Sequence, residues 1–254
     1  MDASFDDLLD EAAAAPVDGW DFSWLDGRAT EQRPSWGYQR LLAGRLKAAT
    51  AAVDLQTGGG EVLAGAGREN FPPTMAATEG WPPNAALATR LLHPLGAVLV
   101  RHQPGTELPF CDDSFDFVTS RHPAAVQWPE IARILTPGGS YLGQHIGGRS
   151  NLELSEYFLG PLEVEGSREH EAESAGARAA GLEVVQCRNE RIRLEFFDVG
   201  AVVWFLRKVV WAVPDFTVDR YRDRLHELHE HITHKGAFVS TTSRTLIEAR
   251  KPGA

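Results

Sequence analysis

Two carboxylates and a glycine turn are the residues of this chain whose types and spacing best suit chemistry. Asp54 lies in the run Val53-Asp54-Leu55-Gln56-Thr57-Gly58-Gly59-Gly60-Glu61, and Glu79 follows nineteen residues after Gly60. The residues before the turn read as a strand, the glycines as its break, and Glu79 as the tip of the next strand. Glycine lets the backbone bend sharply and lets a ligand touch main-chain N–H groups. A carboxylate at the second strand end can accept hydrogen bonds from both hydroxyls of a ribose. Together these residues suit a cofactor that carries a nucleoside.

The glycine spacing separates two cofactor classes. A dinucleotide site requires G-x-G-x-x-G. Counting from Gly58 puts the third position on Leu63, and counting from Gly65 puts it on Asn70. What remains resembles motif I of the class I S-adenosylmethionine-dependent methyltransferases, Asp-x-Gly-x-Gly-x-Gly. Asp54, Gly58 and Gly60 match it, and Gln56 replaces the first glycine. For this motif alone, an ordinary strand-to-helix turn with spare glycines stays open. The segment Leu108-Pro109-Phe110-Cys111-Asp112-Asp113-Ser114-Phe115-Asp116-Phe117-Val118 is similar to the family's loop and fourth strand. Glu130 to Gly139 is similar to the next helix and the turn into strand five. The matches run in family order over residues 53–146.

The resemblance implies a doubly wound, Rossmann-like α/β fold with helical cap elements. Its sheet would have seven strands, mostly parallel, with the last antiparallel. It also implies S-adenosylmethionine as cofactor and methyl transfer to an oxygen, nitrogen or carbon of an unidentified small molecule. Asp54 would order the glycine loop by accepting backbone N–H bonds and reach the cofactor's amino group. Gln56 could donate a hydrogen bond at the methionine-carboxylate end, beside Thr57, Gly58 and Gly60. Glu79 would hold the ribose, with Gly80 and Trp81 next to it; Trp81 either lies against adenine or packs. Glu107 and Leu108 precede the adenine loop, where Pro104 and Gly105 replace the usual aspartate and leave recognition to backbone.

Ser120-Arg121-His122 ends the fourth strand, facing the place of the methyl group. His122 is a candidate general base with a near-neutral pKa, or a hydrogen-bonding wall residue. His145, ending the fifth strand, is the second candidate. Alignment supplies much of the rate of such a transfer, so no strong base is required.

The elements that must position these residues follow from periodicity and punctuation. Residues 4–15 read as a helix and 16–34 as loop. Ser35 is a candidate N-cap for a helix from Trp36 to Thr50, with Tyr38, Leu41, Leu42 and Leu46 at core spacing. Strands are expected near 53–55, 74–78, 97–100, 115–120, 141–146, 182–187 and 238–249, with crossover helices at 62–66, at 85–92 capped by Asn84, and after Ser167. The chain divides into an N-terminal helical cap (1–50) and a methyltransferase domain (51–254) with a helical insertion at about 197–236. That insertion carries a block from Phe196 to Trp211 that is either a core helix or, with Trp20, Phe22 and Trp24, the lid of an apolar chamber.

Composition limits the partners. The formal net charge is −10, and no basic residue precedes Arg28. Nucleic-acid affinity depends on cations that displace phosphate counterions, so this balance argues against such a substrate. Arg191, Arg193, Arg207 and Lys208 are the candidates for a local basic patch. An RNA or protein methyltransferase of the same fold is the first rival reading, and a non-catalytic cofactor-binding module the second. No stretch approaches the roughly 20 apolar residues of a membrane span. The acidic N-terminus and two cysteines, Cys111 and Cys187, suggest a cytoplasmic protein with free thiols. His226, His229, His231 and His234 lack a metal-binding pattern and read as a solvated helix end; no metal is expected. Oligomeric state is not legible.

Overall fold

The computed structural model describes residues 4–17, 19–163 and 169–253; the expected helix start after Ser167 falls partly outside them. Among the described residues, eight strands form one mixed sheet in the order β1 (Ala29–Glu31), β7 (Glu183–Phe196), β8 (Phe238–Arg250), β6 (Leu135–Ile146), β5 (Phe115–Arg121), β2 (Ala51–Leu55), β3 (Thr74–Glu79), β4 (Val98–Arg101). The chain folds as two compact units, Met1–Arg33 with Arg149–Glu165 and Arg191–Ser243, and Pro34–Gly148 with Gly166–Glu190 and Arg244–Ala254. This division differs from a boundary at residue 50.

The second unit holds the candidate site. It contains α2 (Tyr38–Ala48), β2 (Ala51–Leu55), α3 (Glu61–Ala64), β3 (Thr74–Glu79), α4 (Pro82–Leu92), β4 (Val98–Arg101), β5 (Phe115–Arg121), α5 (Trp128–Ile134), β6 (Leu135–Ile146) and α7 (His170–Ala179). It also holds the start of β7 (Glu183–Phe196) and the end of β8 (Phe238–Arg250). β2 pairs in parallel with both β3 and β5, β5 with β6, and β6 pairs antiparallel with β8. Alternate residues of each strand feed separate cores. Ala52, Ala77, Phe117 and Leu142 join Leu42, Leu46 and Leu92 in one, and Val53, Ala76, Val118 and Tyr141 join Trp128, Ile131 and Ile134 in the other. Burial on both faces explains why these strands are nearly continuous apolar runs.

Two expected caps differ. α2 starts at Tyr38 behind Gly37, whose left-handed backbone (φ 61°) is its N-cap. Ser35 instead donates its backbone N–H (2.8 Å) and its hydroxyl to Glu190. α4 starts at Pro82, because prolines tolerate the first helical turn, where no intrahelical N–H bond is lost. That leaves Asn84 buried inside the turn rather than capping it.

The first unit contains α1 (Phe5–Ala14), β1 (Ala29–Glu31), α6 (Leu152–Leu159), α8 (Val199–Lys208) and α9 (Arg222–Lys235), with the remainders of β7 and β8. β1 lies in the segment expected to be loop and pairs antiparallel with Leu194–Phe196 of β7, so the sheet has eight strands rather than seven. Its three residues carry no apolar alternation, so tertiary pairing alone makes them a strand. Phe196 ends β7, and the apolar block starts α8 behind Asp198, which caps it by accepting from Ala201 N–H at 2.7 Å. Trp204 is 1% exposed, stacks on Trp24 at 5.5 Å, meets Phe22 edge-on at 5.9 Å and donates to the Pro16 carbonyl at 3.0 Å. These rings therefore pack as a core.

The four candidate patch cations all have partners. Arg207 donates to the Ala12 and Ala15 carbonyls and Lys208 to that of Val17, closing the end of α1. Arg191 pairs with Glu153 and Arg193 with Glu195. Among the described residues, no helix is long and apolar enough to cross a membrane.

Candidate functional site

The parallel register brings the ends of β2, β3 and β5 side by side, with Asp54 opposite Ala77 and Thr119, and Leu55 opposite Ser120. Ligands of open α/β sheets bind at such carboxyl ends. The glycine turn leaves β2 here. Gly58 and Gly60 have φ of 66° and 88°, and a Cβ on Gly60 would come within 2.9 Å of Leu92 Cγ. Only glycine fits that position.

Glu79 is the organising group. One carboxylate oxygen accepts Gly58 N–H at 2.9 Å and the other accepts Trp81 N–H at 2.8 Å. The glycine loop and the start of α4 are thus held by one side chain, itself 9% exposed. Each oxygen keeps a further lone pair for a diol. Gly80 runs close to the next connection, where an added Cβ would sit 2.7 Å from the His102 carbonyl. The Trp81 side chain stays 42% exposed beside this corner.

Asp54 plays a different part from the expected one. It accepts the Thr57 hydroxyl at 2.6 Å, not loop N–H groups. Burial pushes its pKa up to about 7, against opposing pulls from the Thr57 hydrogen bond and Arg121. Gln56 also departs from expectation. Its carboxamide donates to the Ala125 carbonyl at 2.6 Å and accepts Ala124 N–H at 2.7 Å, so it ties the turn to the segment after β5. Its backbone is left-handed (φ 57°), a conformation that costs a side chain roughly 1 kcal/mol. Gln56→Gly should therefore relax the turn and free that segment. The expected result is at least tenfold faster hydrogen exchange at the Ala124 amide; unchanged exchange would count against the tether.

Leu55, Gln56, Thr78, Leu108, Ser120 and Ala125 line a narrow hollow of about 10 Å³ at the strand ends. Leu108 contributes its buried side chain, while its N–H is taken by Glu130 at 2.7 Å. Glu107 has an exposed side chain, and its carbonyl contacts His102 Nε2 at 3.0 Å. The Ser120 hydroxyl bonds the Tyr141 hydroxyl at 2.5 Å, and Arg121 beside it is exposed.

The two histidines separate. Trp36 Nε1–H donates to Gln144 Oε1 at 2.8 Å, which orients the amide so that its nitrogen donates to His122 Nε2 at 3.1 Å. His122 is then the neutral tautomer with its proton on Nδ1. Burial, with Arg121, Arg244 and His145, holds its pKa well below the usual histidine value. That favours the wall reading over a near-neutral base. His145 is the strand neighbour of Gln144 and so points to the opposite face. There its Nε2 lies 2.8 Å from the Tyr141 hydroxyl and its Nδ1 lies 3.0 Å from Glu173 Oε1. Thr78 and Gln144 on strands, and Glu173 on α7, were not among the expected site residues. They carry no motif; strand register brings the first two here, and the packing of α7 brings Glu173.

A parallel-core sheet with a glycine turn after one strand and a bridging carboxylate after the next defines a class I methyltransferase-type fold. Residues 53–143 match the family model described as a methyltransferase domain. No curated protein matches the sequence. Among solved structures, a candidate methyltransferase from Bacillus halodurans C-125 superposes with a TM-score of 0.61 at 18% identity, covering 84% of this chain and 98% of that one. Phosphoethanolamine N-methyltransferase 2 of Haemonchus contortus, in complex with phosphomonomethylethanolamine and S-adenosylhomocysteine, gives 0.54 at 18%, covering 98% and 60%. The [4+2]-cyclase SpnF gives 0.53 at 17%, covering 97% and 92%. At such identities the likeness concerns the fold.

Proposed function

We propose that this protein transfers a methyl group from S-adenosylmethionine to a small molecule. The single observation behind this reading is Glu79, whose two oxygens join the glycine loop to the start of α4 and retain acceptor capacity for a ribose diol. The residues fit the cofactor: Gly58 and Gly60 form the cradle, Glu79 takes the ribose hydroxyls, Trp81 offers a face for adenine, and Asp54 meets the amino group. The bound cofactor supplies an activated sulfonium methyl. The protein's own work is to orient it and keep water out. The hollow at the strand ends is small, and Gln56, bonded to Ala124 and Ala125, forms part of its lining. His122, neutral and accepting from Gln144 through Nε2, offers its Nδ1–H as a donor in the wall.

The negative charge and the pairing of Arg191, Arg193, Arg207 and Lys208 support a small acceptor over RNA. The unpaired Cys111 and Cys187 support a reducing cytoplasm. The cyclase on the same fold makes a non-methylating role the second reading, since fold alone does not fix activity. The test is incubation of the protein with methyl-labelled cofactor and fractionated cell extract. Label is expected in a low-mass fraction. Label in RNA or protein, or none despite tight cofactor binding, would overturn the proposal.

A further inference from the structure

A cavity of about 290 Å³ lies beside the narrow hollow and shares with it the lining residues Pro123, Ala125 and Val126. Val126, Trp128, Ile146 and Ala172 form its apolar side, and His145 and Glu173 its polar side. Both polar residues are deeply buried, at 3% and 7% exposure. His145 Nδ1 and Glu173 Oε1 stand 3.0 Å apart, yet Nδ1 has no aligned hydrogen-bond partner. Two polar atoms so close, without a proton aligned between them, are costly to bury. A ligand bearing several N–H donors on one atom relieves this by giving one to each.

We propose that this cavity binds a small arylalkyl ammonium compound, held by Glu173 and His145 and resting on Trp128. The class follows from three features. Glu173 is the formal carboxylate in the lining, so a cation is favoured. Trp128 offers an aromatic wall, which suits a cation or a ring. An engineered cavity of roughly 150 Å³ holds benzene, so one of about twice that volume takes a ring with a short amine chain.

Resting on the transferase reading above, the bound amine is the methyl acceptor. The ammonium gives one proton to His145 Nδ1, with Nε2–H then directed at Tyr141, and Glu173 stabilises the imidazolium. The bound cofactor would supply its sulfonium methyl to the freed lone pair, sulfur keeping the electron pair of the broken S–C bond.

The experiment is calorimetric titration of phenethylamine and of its neutral analogue 2-phenylethanol, without cofactor. It uses the full-length protein, Glu173→Gln, and Ala172→Phe, which fills the cavity; thermal melting confirms that each variant folds. The amine should bind at least tenfold tighter than the alcohol, Glu173→Gln should erase that preference, and Ala172→Phe should abolish binding of both. Equal binding of the two compounds, or amine binding that survives Glu173→Gln and Ala172→Phe, overturns the site. Incubation with labelled cofactor separates the two readings. Amine binding with no label in any low-mass compound keeps the site and sinks the transferase reading. Label on other compounds, with no amine bound, does the reverse.

Discussion

Glu79→Ala is expected to weaken S-adenosylmethionine binding at least tenfold, measured by calorimetry. The carboxylate accepts two main-chain N–H groups, from Gly58 and Trp81, and alanine leaves both without their partner. Losing a buried partner costs about 1–3 kcal/mol per group. A tenfold change in affinity corresponds to about 1.4 kcal/mol, so even part of that cost reaches the threshold. In the proposed function the ribose hydroxyls lose their acceptor as well. Glu79→Gln keeps the shape and one acceptor oxygen but sets an NH₂ group against a backbone N–H. It should fall between alanine and the native protein. An unchanged dissociation constant in Glu79→Ala would remove Glu79 from the site.

Asp54 carries the second large effect, and it depends on pH. Its pKa is raised from 3.8 to about 7, chiefly by burial. Below pH 3.8 the side chain is protonated in both folded and unfolded chains, and its contribution to stability is complete. As pH rises toward 7 the unfolded chain releases the proton while the folded chain holds it, and stability falls. Each pKa unit is worth about 1.4 kcal/mol, so the loss is about 4 kcal/mol once the pH exceeds 7. Asp54→Asn keeps an acceptor for Thr57 and cannot ionise. It should therefore melt higher than the native protein at pH 8, and the gap should shrink as pH falls toward 4. A gap of equal size at both ends would show that Asp54 titrates normally. The cofactor's cationic amino group prefers the ionised form, so affinity should rise with pH through 7 in the native protein and stay flat in Asp54→Asn. This cost, set against cofactor capture, accounts for a buried carboxylate with one neutral partner.

Much of the architecture was legible because it is written locally. Short apolar stretches, with motif matches that run in family order, placed β2, β3, β5, β6 and β8. The same local chemistry put Asp54, Gly58, Gly60 and Glu79 at neighbouring strand ends. Helix ends were less legible. Ser35 and Asn84 are good caps by type, but Glu190 claims the first and the prolines start α4 before the second. β1 was invisible, since Ala29-Thr30-Glu31 becomes a strand only by pairing with Leu194–Phe196.

By itself, the sequence carried the resemblance that implies the class of cofactor pocket: the glycine turn alone left an ordinary turn open, and the later matches in family order narrowed it. Only the tertiary structure decided what the polar groups do there. Gln56 reaches Ala124 and Ala125, nearly seventy residues away, and His145 meets Glu173 from another element. Hydrogen bonds and desolvation act through space, and chain order records neither the partner across the sheet nor the depth of burial. So Asp54 became a raised-pKa acid and His122 a neutral donor in the wall, roles that residue type alone leaves open.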